Sequence, residues 1–293
     1  MTSSVYPFST GSAVALTRAP AGACDCHLHV YDNAYPIMVG AQLNPPTATV
    51  EDYRLIQTRM GTSRAVLVTP STYGADNTVM LRGLSQLGAG GRGVAVIRGD
   101  ESDTSLESLH AAGVRGIRLN FSLGATNDAA SIEQLSHRIA ALGWHLQLLM
   151  PVDQLLSLMS VLERLPTPLV FDHFGRIPPS LCMQHPAHRG LLDMMRSGKA
   201  WVKISGGYLV SSMASVEDPA LDELARSFIE AAPTQVLWGS DWPHATSSAG
   251  LQPMPDDARQ MDRLAQWAGD ARELHRILVS NPERVYGFTS TLT

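Results

Sequence analysis

Eight short, β-rich apolar runs recur along this chain, each parted from the next by a segment of helical period, and that alternation limits the fold more than any other feature. The runs cover residues 23–31, 64–70, 93–99, 116–121, 145–150, 168–174, 200–206 and 235–243. Amphipathic stretches at 50–60, 77–87, 105–112, 131–142, 153–165, 186–197 and 219–231 fill the gaps. Parallel strands can be joined only by crossover connections, most often helices, so the order predicts an α/β protein, a (β/α)8 TIM barrel. Stretches 256–268 and 271–279 supply closing helices, with Asn281 expected as an N-cap and Pro282 at the first helical position. The competing fold is an open doubly wound sheet. That fold wants a glycine-rich turn after its first strand, where this chain has Asp32, Asn33 and Ala34.

A length of 293 residues suits one barrel domain over 1–293, with an N-terminal extension at 1–20 and the closing helices in 256–293. With 44% hydrophobic and 17% charged residues, the chain can bury a full core. The formal net charge of -5, without any run of Lys or Arg, argues against nucleic acid as a partner. No apolar stretch is long enough for a membrane span, and MTSSVYPFST lacks the order of a signal peptide, so the cytoplasm is the expected compartment. Cys24, Cys26 and Cys182 make an odd count without zinc-type spacing and read as reduced thiols.

Polar side chains that could do chemistry gather at the carboxyl ends of the runs, where barrels place their active sites. His27 and His29 are two apart on the first strand, so they share a face, and strict alternation puts Asp25 on that face too. Asp241 ends the eighth run, with Trp242 and His244 beyond it; barrel closure makes the first and eighth strands neighbours. The sixth run adds Asp172, His173 and Arg176. Arg118 with Asn120, and Lys203 with Ser205, are spaced by two on the fourth and seventh runs. Packing of polar residues inside the barrel mouth is the plainer reading of the paired histidines, and an ion pair with Asp172 is the plainer reading of Arg118 and Lys203.

Taken together, CDCHLHVYD, PSTYGADN, GVRGIRLNF, LVFDHFGR, VLWGSDWPH and NPERVYGF span nearly the whole chain, and in them the sequence resembles the amidohydrolase superfamily. Within it, the chain is similar to the branch of 2-pyrone-4,6-dicarboxylate lactonase and related sugar-lactone enzymes. The resemblance implies a hydrolase acting on a small lactone. Asp241 would take a proton from the attacking water, while His27, His29 and His173 polarise the carbonyl. Arg118, Tyr73, Asn77, Arg176, Lys203 and His244 would bind substrate.

Zinc-dependent members add a ligand from the fourth or fifth strand, where this chain has Arg118, Asn120, Gln147 and Leu149; His145 sits early on its strand and reads as a structural residue. The resemblance therefore implies that no cofactor is required, with one zinc or other divalent ion on His27, His29 and Asp241 as the alternative. The lactonase pattern carries a basic loop after the fourth strand, and here SLGATND holds no Arg or Lys. A sugar-acid lactone or muconolactone thus fits at least as well as a pyrone carboxylate. A metal-dependent decarboxylase, a lactone isomerase and a catalytically silent ligand-binding barrel are the rival functions. The isomerases lack the first histidine of the HxH pair, which favours hydrolysis here.

Overall fold

A computed structural model of the chain describes residues 6–122 and 129–289. The loop expected to lack a basic side chain falls mostly on 123–128 and lies outside the described residues, as do 1–5 of the N-terminal extension and 290–293 at the C-terminus. Eight parallel strands run in sequence order: β1 (Cys24–Leu28), β2 (Arg64–Val68), β3 (Gly91–Ala95), β4 (Val114–Asn120), β5 (His145–Leu149), β6 (Leu169–Phe171), β7 (Ala200–Ser205) and β8 (Val236–Gly239). The crossovers are helices α1 (Val50–Met60), α2 (Thr78–Leu87), α3 (Asp103–Ala111), α4 (Ala129–Ala140), α5 (Val152–Arg164), α6 (Pro186–Arg196) and α7 (Ala220–Ala231). Closure rests on two backbone bonds just past the end of β8: Asp241 N–H donates to the His27 carbonyl and His29 N–H to the Trp242 carbonyl, both at 2.8 Å. An open doubly wound sheet has no such seam. At that seam Gly239 is required, because a Cβ there would lie 2.6 Å from the His27 Cβ and backbone nitrogen.

After β8 come α8 (Ala245–Ser248), α9 (Asp257–Ala268), α10 (Ala271–His275) and α11 (Asn281–Tyr286). Asn281 does not cap α11, since a π-helical turn over Arg276–Ser280 runs straight into it. Its amide instead donates to the carbonyls of Pro233 and Val236, at 2.9 and 2.7 Å, which ties the C-terminal helices to the foot of β8. The N-terminal extension also belongs to the packed body where it is described. The Trp242 indole donates to the Pro7 carbonyl, and the buried Arg59 guanidinium holds the carbonyls of Thr10 and Ala13.

Alternation divides each strand between two apolar layers. Leu28, Leu67, Ile117, Phe171, Val202 and Trp238 face the helices, whereas Val66, Val68, Val94, Val170, Trp201 and Leu237 fill the lower lumen with Tyr286 and Phe288 at its base. Cys24 and Cys26 join the second group, so both thiols are buried inside the barrel. If β1 continued regularly, Leu28 would point inward and both histidines outward. A bulge prevents this: Asp25 pairs with Ala65 but Leu28 with Leu67, so β1 holds one residue more than β2 over that span. After the bulge His27 and His29 point into the lumen. Asp25 therefore does not share their face, contrary to strict alternation. It sits in the outer layer, accepting hydrogen bonds from the Tyr53 hydroxyl, the Ser240 hydroxyl and the backbone of His27 and Ser240. Burial raises its pKa to about 6 despite those donors.

Candidate active site

Several strands stop short of the runs expected for them, and the residues beyond carry the site. β6 ends at Phe171 and β8 at Gly239; then His173 and Asp241 take left-handed backbone, φ 50° and 67°. For non-glycine residues this conformation costs energy and persists only where the surroundings impose it. It turns both side chains over the lumen, toward the histidines of β1.

Three imidazoles surround one carboxylate oxygen. Asp241 Oδ1 lies 3.6 Å from His27 Nε2, 3.8 Å from His29 Nε2 and 3.7 Å from His173 Nε2. The opposite ring nitrogen of each is engaged: His27 Nδ1 with Asp172 Oδ1 at 3.1 Å, His29 Nδ1 with the Val68 carbonyl at 2.8 Å, and His173 Nδ1 with the Ser205 hydroxyl at 3.0 Å. Asp241 Oδ2 accepts from the Tyr208 hydroxyl at 2.6 Å. Burial drives His27 well below the usual imidazole value, lowers His173, and brings His29 to about 4. Near neutral pH all three are uncharged. Burial opposes ionisation of Asp241, but the imidazoles and the Tyr208 hydroxyl outweigh it and hold the carboxyl below its ordinary value.

Beneath this ring lies a buried charge network. Asp172 Oδ1 faces Lys203 Nζ at 3.4 Å; its Oδ2 accepts from Arg118 Nε at 3.3 Å and Gln147 Nε2 at 3.0 Å. Lys203 also donates to Gln147 Oε1 at 2.7 Å. Burial raises the Asp172 pKa, yet His27, Lys203 and Arg118 overcome it and keep the group ionised.

Above the ring opens a cavity of about 860 Å³, bordered by His29, Asn120, His173 and Asp241. Three arginines border it, Arg98, Arg118 and Arg176, and among the described residues the only carboxylate there is Asp241. Arg118 thus serves both the Asp172 network and the cavity wall.

Four residues expected to bind substrate are placed elsewhere. Lys203, fully buried, is consumed by Asp172 and Gln147. The Tyr73 hydroxyl braces the backbone of Asp32, and Asn77 ties Thr69 to the backbone of Val96; neither borders the cavity. His244 is buried behind Asp241, between Tyr208 and Asp257. Sequence reasoning missed Arg98, Tyr208 and Asp257. Arg98 and Tyr208 follow closely on the ends of β3 and β7, a position that could have drawn attention to them.

The donor set fits a divalent cation. His27 Nδ1 faces Asp172 Oδ1, which only accepts, at 3.1 Å and Lys203 Nζ, which only donates, at 3.3 Å; we assign the His27 proton to Nδ1 on the nearer contact, and the Val68 carbonyl places that of His29 likewise. Their Nε2 lone pairs then face an anionic oxygen, and His27 Nε2 is buried without a hydrogen-bond partner. Such a convergence calls for positive charge. The ligand atoms of His27, His173 and Asp241 lie within 4.8 Å of one another. This trio differs from the expected set by taking His173 in place of His29.

Barrel, seam and ring together define an amidohydrolase, and residues 24–288 match that family's model, described as Amidohydrolase. The chain belongs to this family. It is 31% identical over 276 residues to a 4-sulfomuconolactone hydrolase of Rhizobium radiobacter, covering 92% of this chain and 91% of the relative. It is 32% identical over 281 residues to a 2-pyrone-4,6-dicarboxylate hydrolase of Comamonas testosteroni, with the same coverage. A D-galactarolactone isomerase of Agrobacterium fabrum is 29% identical over 269 residues, 91% of each chain. A crystal structure from Agrobacterium tumefaciens superposes with a TM-score of 0.86 at 27% identity, covering 94% of this chain and 98% of that one.

Proposed function

We propose that this chain hydrolyses a small anionic lactone, with Asp241 as the general base. The observation that carries the reading is Asp241 Oδ1 ringed by three imidazole nitrogens at 3.6–3.8 Å, below a cavity with three arginines. The relatives named as lactone hydrolases support it.

Arg118 and Arg176 are fixed by Asp172 and by the Leu209 carbonyl, so their guanidinium groups are preorganised to bind a carboxylate or sulfonate. Arg98 supplies a further cation next to β4, whose following loop has no basic residue. Water held at Asp241 Oδ1 gives up a proton to it and attacks the lactone carbonyl. The C–O ring bond then breaks, and the proton passes from Asp241 to the leaving oxygen. Of the three imidazoles, His173 is free to polarise the carbonyl: if the Ser205 hydroxyl donates to its Nδ1, its Nε2 carries the proton. Neutral His27 and His29 instead offer lone pairs, which suits them to orient water or to hold a cation. His27, His173 and Asp241 would hold a divalent ion with His29 beside them, His173 then carrying its proton on Nδ1 toward the Ser205 hydroxyl instead of on Nε2, and such an ion would supply Lewis-acid polarisation and a more acidic water. The soluble interior of the cell is the compartment this reading favours.

The test is a panel of muconic, aldonic and pyrone lactones, followed by acid release in the presence and absence of a chelator. Asp241→Asn should lower turnover at least about a hundredfold. Unchanged turnover would remove Asp241 from the base role, and an isomeric lactone as product would favour the isomerase instead.

A further inference from the structure

The mechanism uses Asp241 through one oxygen only, and three buried side chains stand behind the other. Tyr208 OH donates to Asp241 Oδ2 at 2.6 Å; 3.3 Å beyond lies His244 Nδ1, and His244 Nε2 meets Asp257 Oδ2 at 3.2 Å. Tyr208, His244 and Asp257 are each at most 1% exposed, and none borders the cavity. They cannot touch substrate. Asp257 opens α9 just after its capping residue Asp256, so it is held by a helix: its other oxygen accepts from Gln260 Nε2 at 3.1 Å and its N–H donates to Ser9 at 3.1 Å.

From this row we infer that Tyr208, His244 and Asp257 form a positioning relay that fixes the orientation of the Asp241 carboxylate, reserving Oδ1 for the proton of the attacking water. The two outer links follow from donor and acceptor capacity, and the middle one from packing. The Asp257 carboxylate only accepts, so the His244 proton is held on Nε2 and the ring cannot turn. The Tyr208 hydroxyl has one proton and gives it to its nearer, charged neighbour, Asp241 Oδ2 at 2.6 Å; His244 Nδ1, which carries no proton, bounds the hydroxyl on its other side as a packing neighbour. With Oδ2 occupied, Oδ1 alone faces the imidazoles. Without Tyr208 the carboxylate could rotate and present either oxygen, so the base would be misplaced in part of the population, which lowers turnover more than binding.

This inference rests on Asp241 being the base, and its test separates the two. In Tyr208→Phe, which keeps the ring, kcat should fall about 30-fold with KM within about twofold, the loss expected for one hydrogen bond to a charged group. Asp257→Asn should give a smaller fall of the same kind, about fivefold, as His244 loses its tautomer lock. A crystal structure of Tyr208→Phe should show the Asp241 carboxylate rotated or in two conformers, a readout independent of which substrate is turned over. Tyr208→Phe with wild-type kcat, or with Asp241 in its original single orientation, overturns the relay. Wild-type kcat in Asp257→Asn alone cuts it back to Tyr208 and overturns the part assigned to His244 and Asp257. If Asp241→Asn abolishes lactone opening while Tyr208→Phe changes nothing, the proposed function stands and the relay falls. If no lactone is opened at all, the carboxylate orientation decides the relay by itself.

Discussion

Substituting Asp172 by Asn removes one negative charge from the floor of the site and leaves its cations in place. Lys203 Nζ at 3.4 Å and Arg118 Nε at 3.3 Å would each lose a Coulomb partner worth about 5 kcal/mol at an effective dielectric constant near 20, before any gain from water. Measured losses on breaking a buried pair are about 3–5 kcal/mol. A second bound comes from Lys203 itself. Its pKa is already lowered by burial, and shedding its proton at pH 7, from an ordinary value near 10.4, costs at most about 4.6 kcal/mol. We therefore expect Asp172→Asn to lose about 3–4.5 kcal/mol at pH 7. The stranded lysine has a depressed folded pKa, so the unfolded chain binds the extra proton and stability rises with pH; by pH 9 the ceiling on the lysine's share of the loss falls to about 2 kcal/mol. Urea unfolding at pH 7 and pH 9, with Lys203→Met added in a double-mutant cycle, measures both effects. The double mutant should recover at least half of the loss. A loss under about 1 kcal/mol at pH 7, or one that is equal at the two pH values, would refute this account of the network.

Gly239→Ala should cost about 1–3 kcal/mol in denaturant unfolding, because its methyl group would press on the His27 backbone at the barrel seam; an unchanged midpoint would mean the seam yields. Burial holds His29 near 4 and His145 near 3, both below the unfolded value of about 6.5. As pH falls from 6.5 toward 4 the unfolded chain takes up protons the folded one refuses, so stability should drop by up to about 1.4 kcal/mol per pH unit for each histidine. His145→Leu should flatten that slope by about one proton, read from unfolding midpoints between pH 4.5 and 7.5. Arg118→Met should raise KM for anionic lactones about tenfold or more, and equal kinetic constants on anionic and neutral lactones would deny it a binding role.

Most of the fold was legible because burial on both faces makes barrel strands read as apolar runs, and crossover helices must separate them. Strand order and the meeting of His27, His29 and Asp241 followed from that count. The bulge in β1 was hidden, since CDCHLH alternates as regularly as an unbroken strand and only the pairing with β2 shows the added residue. That is why Asp25 was placed with the histidines. Tyr73 and Asn77 were chosen from a motif, whereas their bonds go to backbone and, for Asn77, to the Thr69 hydroxyl. Lys203 and His244 lay at the expected level of the barrel, but a sequence gives no depth: whether a side chain reaches the cavity or stops at a buried carboxylate depends on neighbours distant in the chain. Arg98 and Tyr208 fall beyond their strands, where pattern gives no direction.

The added residue in β1 also sets a rule for engineering. Grafting His-x-His onto an unbroken strand of another barrel, in register with inward-facing residues below it, would send both imidazoles into the helix layer. A working transplant must bring the extra residue and the outer-layer Asp25, whose bond to the His27 amide spans that step; trimming a single position there would exchange the lining of the upper channel for its outer coat.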